Sequence, residues 1–93
     1  MTSVSDEMSP SDHFASLEAQ IRRTLRAQRA ALHLHLSEVQ AKASELKMDA
    51  KMSSATLSRI ELGERLPDLQ QLFILAHIYG VSIADILDGR VRI

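Results

Sequence analysis

The chain has 93 residues, room for one small domain with a single core. It has no cysteine, which excludes disulfides and thiolate metal sites, and its 45% hydrophobic content comes mainly from Leu, Ala and Ile, a helical vocabulary. The net charge of −1 conceals a split: residues 20–66 carry nine basic groups against five acidic ones, and both flanks are acidic. A basic middle permits phosphate contacts. No apolar run nears the ~20 residues of a membrane span. The polar, acidic start lacks the basic and apolar regions of a signal peptide, so no membrane and a cytoplasmic location are expected.

Residues 1–12 are rich in Ser, Asp and Glu and are expected to form a disordered tail, with the domain over residues 13–89 and a short tail over 90–93. The first helix is expected from Ser11 or Asp12 to about His33, capped by Asp12. Phe14, Leu17, Ile21, Leu25 and Leu32 recur on one helical face, and the first two of these are expected to bury against a second copy. Arg22, Arg23, Arg26 and Arg29 occupy the other side, either as a solvated face or as phosphate contacts. Leu32 to Leu36 alternates but is too isolated for a strand and reads as a turn. His33 and His35 read as surface or turn residues, because two histidines without a nearby acidic cluster make no metal site.

Ser37-Glu38-Val39-Gln40 has the capping-box form and opens a second helix. Val39, Ala43, Leu46 and Ala50 recur at helical spacing, so this helix is expected to reach about Ala50. The third helix has Ser53 as its cap, Leu57 and Ile60 on its inner face and Gly63 as its stop. Its other face carries Ser54, Ala55, Ser58 and Arg59, small and hydroxylic with one guanidinium, suited to lie against a flat polar partner such as DNA. Pro67 or Asp68 opens a fourth helix, with Leu69, Leu72, Phe73 and Ala76 expected on its buried side and Gly80 as its stop. Ser82 caps a last short helix with Ile83, Ile86 and Leu87, ended by Asp88-Gly89. His77 reads as a packing or surface residue.

Ser53-x-x-x-Leu57-Ser58-Arg59-Ile60-Glu61-x-Gly63-x-Arg65-x-Pro67, followed by Leu72-x-x-Leu75-Ala76-x-x-Tyr79-Gly80-Val81-Ser82-x-x-x-Ile86-Leu87, resembles the phage-repressor-type (Xre/Cro-like) helix-turn-helix family. The resemblance implies an all-α, five-helix repressor-like domain whose third helix enters the major groove of double-stranded DNA. It implies base reading by Ser54, Ala55, Ser58 and Arg59, with the Arg59 guanidinium suited to guanine. It also implies phosphate contacts by Ser53 and Arg65, and a structural ion pair between Arg29 and Glu61.

The chain departs from the pattern ahead of the third helix. Counted forward from Arg29, Val39 and Ala43 take the core positions of the second helix. Counted back from Ser53, Leu46 and Ala50 take the same positions, seven residues on. Seven residues are close to two helical turns. The helix 1–helix 2 hairpin is therefore expected to be extended by about a turn on each arm, with a looped-out Ser44–Lys51 as the alternative. Lys51 replaces the usual turn glycine, and Gln40 or Lys47 a usual small residue.

The expected function is a sequence-specific DNA-binding transcriptional regulator, a repressor acting as a homodimer on an operator, since one small helix covers few base pairs. The alternative is an antitoxin or anti-regulator that mainly binds a protein partner, which the near-zero charge and the short reading side chains would suit. An enzyme is not expected. The chain lacks cysteine, a cluster of His with acids, and a Gly-rich phosphate loop, and it calls for no metal and no cofactor.

Overall fold

The computed structural model describes residues 9–93 and arranges them as five helices: α1 (Pro10–Ala31), α2 (Leu36–Glu45), α3 (Ser54–Glu61), α4 (Leu69–Tyr79) and α5 (Ile83–Leu87). There is no strand among the described residues, as the all-α expectation requires. None of these helices is long and apolar enough to cross a membrane.

α1 starts earlier than its apolar pattern. The Ser9 hydroxyl accepts from the Asp12 N–H at 3.2 Å, the Asp12 carboxylate accepts from the Ser9 N–H at 3.3 Å, and Pro10 takes the first helical position. Asp12 is thus the third residue of the helix, not its cap, and the helix begins at Pro10, one or two residues before the expected start. Residues 1–8 of the expected tail lie outside the described residues. The helix ends at Ala31, short of His33, because His33 turns left-handed at φ 57° and the Leu34 N–H closes onto the Arg29 carbonyl at 3.2 Å.

α2 differs at both ends. Its cap is His35, whose N–H donates to the Glu38 carboxylate at 2.8 Å, so the expected box on Ser37 and Gln40 is displaced by two residues. Its last helical residue is Glu45, five short of Ala50. Lys47 adopts φ 54°, and the stretch Leu46–Ser53 is a loop. The second arm of the hairpin is therefore not extended as helix; the extra residues are looped out. The cause is tertiary. Met52 turns into the core at 7% exposure, and the buried Gln71 side chain donates to the Lys51 carbonyl at 2.8 Å. A helix continued to Ala50 would carry both groups away from these partners.

The core gathers Ile21 and Leu25 of α1, Val39 and Ala43 of α2, Leu57 and Ile60 of α3, five residues of α4, and Ile86 of α5. α4 is central, packed against α1, α2 and α5. Its buried set is Gln71, Leu72, Ile74, Leu75, Ala76 and Tyr79, wider than a single stripe. Leu72 and Ala76 are buried as expected, but Leu69 is 72% and Phe73 51% exposed, because they fall on the one side of α4 left uncovered. Phe14 (51%), Leu17 and Leu32 are exposed as well. The first two continue the stripe of Ile21 and Leu25 beyond the point where other helices reach α1.

The C-terminal residues are tied down rather than loose. The Gln28 side chain, 1% exposed, donates to the Arg92 carbonyl and accepts from the Arg92 N–H, both at 2.7 Å. Asp85, the acid of the α5 capping box, accepts from the Ser82 N–H at 3.2 Å and from Arg92 at 3.3 Å. The Ser82 backbone bond, then Arg92, hold its carboxyl below the ordinary carboxylate value of 3.8. In the unfolded chain Asp85 therefore takes up a proton first. The stability this group contributes is present above pH 3.8 and is lost as pH falls through the lower folded value. Asp85→Asn is expected to flatten the acid limb of the stability curve, measured by urea unfolding at pH 7 and in steps below pH 4.

Candidate nucleic-acid interface

α3 is short, and isolated helices of its length are unstable in water. It holds because both ends are closed and its inner face is buried. At the start, the Ser53 hydroxyl accepts from the Thr56 N–H at 3.1 Å and donates to the Thr56 hydroxyl at 3.0 Å. At the end, Gly63 (φ 81°) and Glu64 return their N–H groups to the Ile60 and Arg59 carbonyls at 3.1 and 2.9 Å. A Cβ at Gly63 would lie 2.9 Å from the Arg22 side chain. Thr56, Leu57 and Ile60 are buried beneath it.

The Arg29–Glu61 pair is formed. Arg29 Nε and one terminal nitrogen donate to the two Glu61 oxygens at 2.7 and 2.8 Å, and the other terminal nitrogen donates to the Leu34 carbonyl at 2.8 Å. One guanidinium thus joins the end of α1, the turn into α2 and the end of α3. The bond to Glu61 raises the Arg29 pKa further above its ordinary value, so the charge is permanent. Tyr79 lies buried beside the pair. Burial, and then the Glu61 charge, push its pKa up, so its hydroxyl stays neutral.

The outward face of α3 holds the expected readers. Ala55 and Arg59, four residues apart, are exposed on one strip, and Ser58 is half-buried beside them. Arg59 makes no ion pair among the described residues. Arg65 is exposed in the loop after α3. Ser54 is less free. Its N–H and its hydroxyl both donate to the Gln40 side-chain oxygen, at 2.7 and 2.9 Å, which leaves the hydroxyl only lone pairs to offer. Ser53 likewise spends its hydroxyl proton on Thr56.

Gln40 is the residue that sequence reasoning did not place. It stands on α2 where a small residue is usual, and its side chain spans the gap to the first turn of α3, satisfying an N–H that the cap leaves free. The signal was the anomaly itself, a long amide at a small-residue position. The arginines of α1 do not act as one face. Arg29 is structural, Arg22 lies against Gly63, Arg26 borders a shallow depression with Ser58 and Leu62, and Arg23 borders another with Gly89 and Val91.

Two helices joined in sequence, α2 and α3, packed through Val39, Ala43, Leu57 and Ile60 and presenting the second outward, define a helix-turn-helix unit. The helix-turn-helix family model (HTH_3) matches residues 25–86, two thirds of the chain. The chain belongs to this family, of the phage-repressor (Xre/Cro-like) type, and is a DNA-binding transcriptional regulator of the Xre type. Searches of the curated proteins and of the solved structures give no match. The family match begins at Leu25, within α1.

Removing one partner of the Arg29–Glu61 pair leaves a largely buried charge without its bonds. Arg29→Ala and Glu61→Ala are each expected to cost about 1–3 kcal/mol, with strong coupling in a double-mutant cycle read by urea unfolding. Gln40→Ala is expected to cost about 0.5–1.5 kcal/mol and to speed amide exchange at Ser54 while leaving exchange at Leu57 near that of the wild type.

Proposed function

We propose that the chain is a sequence-specific repressor that binds its operator as a homodimer, with α3 in the major groove. The observation that carries this reading is the outer strip of α3. Ala55 and Arg59 are exposed and unpaired there, above a scaffold that Arg29–Glu61 and Gln40 hold in place. Arg59 is the principal reader, through a two-pronged contact to guanine O6 and N7. Ala55 offers an apolar contact to a thymine methyl, and Ser58 a hydroxyl. Ser54 contributes through its lone pairs, since Gln40 has its proton. Arg65, and Ser53 through its backbone N–H since Thr56 holds its hydroxyl proton, grip phosphates and set register without reading sequence.

The dimer follows from size. Eight helical residues span about 12 Å, so one α3 reads only a few base pairs. Two copies related by a two-fold axis double the site and place the half-sites about 34 Å apart. Occupancy of such an operator is sufficient for repression, in the cytoplasm where the DNA lies. A protein-partner role is favoured by a separate observation, the exposed Leu69 and Phe73 of α4, which stand apart from the α3 strip.

Selection from a genomic fragment library at several salt concentrations tests the reading. A regulator selects one or a few two-fold symmetric sites, and log affinity falls linearly with log salt. Arg59→Ala is expected to lose about 1–3 kcal/mol of discrimination at one base pair of each half-site. Arg65→Ala is expected to weaken all sequences alike. Absence of any selected site at moderate salt would sink the repressor reading in favour of the protein-partner one.

A further inference from the structure

The loop Leu46–Ser53 is built with two sides. Leu46 and Ala50 are half-buried against the core, and Met52 is buried in it. The backbone is held as well: the Ala50 N–H returns to the Met48 carbonyl at 2.9 Å, and Gln71 grips the Lys51 carbonyl. Lys47, Met48, Asp49 and Lys51 face solvent. Neither lysine joins an ion pair among the described residues. The loop delivers the chain directly to Ser53, so Lys51, two residues before that cap, stands at the end of α3 that leads into the groove in the docking proposed above, and Lys47 opens the same loop beside the end of α2. Asp49 lies between them and leaves the loop one net positive charge, to which α3 adds no acidic residue in its first turn.

Lys47 stands in an unusual backbone state. Its φ of 54° is a backbone state that favours Gly or Asn, and that costs other residues about 1–2 kcal/mol. A lysine stands there instead. Packing does not account for it, because the side chain is exposed. His33 leaves α1 in the same state (φ 57°), so the left-handed backbone is the way both helices end, and it is the exposure of the lysine rather than its backbone that bears on function.

We propose that the enlarged turn between α2 and α3 is a second DNA-contacting element, in which Lys47 and Lys51 bind backbone phosphates beside the N-terminal end of the recognition helix. This rests on the DNA-binding reading and extends it: the footprint reaches beyond α3 by an element that the family pattern does not include. The contacts are electrostatic and carry no base preference.

The test uses the full chain and the DNA site that the wild type selects. Affinity is measured against salt for the wild type, Lys47→Gly, Lys51→Gln, the double variant and Arg59→Ala, with thermal unfolding of each. The double variant is expected to bind all sequences more weakly and to lower the slope of log affinity against log salt by about 1.8, or 0.9 per lost phosphate contact. Lys47→Gly is expected to keep or raise the melting temperature while losing affinity, since glycine accepts the left-handed backbone. A purely structural lysine would not move these two readouts in opposite directions. A double variant with the wild-type salt slope overturns the proposal and leaves the DNA-binding reading standing, provided Arg59→Ala still changes site preference. A wild-type chain that binds no DNA overturns both.

Discussion

Arg29 sits in the last turn of α1, and its guanidinium is where three segments of the chain meet. Two of its nitrogens occupy the Glu61 carboxylate and the third reaches the Leu34 carbonyl. The fork geometry of guanidinium against carboxylate is directional, so the contact fixes an angle as well as a distance. It fixes the end of α3 against the end of α1, and the turn between α1 and α2 with them. The apolar contacts of Leu57 and Ile60 supply much more energy, but they are not directional and would tolerate a rotated helix. The outward strip of Ala55 and Arg59 therefore has a defined direction chiefly because Glu61, on the same short helix, has one.

The other end of α3 needs a separate support, because the turn before it is enlarged. In a tight helix-turn-helix the two helices hold each other through small residues and a short connection. Here the connection is eight residues of loop, and Gln40 takes over part of its task by bonding the first N–H and the first side chain of α3. Gln71 fixes the loop from the opposite side while its own backbone closes the α4 cap. Two glutamines thus replace what a short turn does by covalent connection. The Gln71 support leaves a buried polar group when its partner is lost, whereas the Gln40 bonds lie at the surface, where water can replace them.

Much of this was legible in the chain. Helix caps and stops are local chemistry, and Ser53, Gly63, Gly80 and Ser82 mark their helices where they stand. The ion pair was legible only through the resemblance, because nothing in the spacing of Arg29 and Glu61 brings them together. The end of α2 was not legible, since Leu46 and Ala50 continue the helical period and do turn inward, but from a loop. Periodicity reports which residues face the core and is silent on the path between them. The exposed Leu69, Phe73, Phe14 and Leu17 make the same point. An apolar stripe says that a face can be buried, and only the neighbouring elements decide where the cover stops.

What the amino-acid order determined by itself was the helical class, the three later helices and the small outer face of α3. These depend on interactions within about four residues, which the order of side chains specifies directly. What the tertiary structure alone decided was the path from α2 to α3, the role of Gln40, and the pinning of the C-terminal residues to Gln28. Each of these depends on partners between 14 and 64 positions apart, brought together by burial rather than by local geometry.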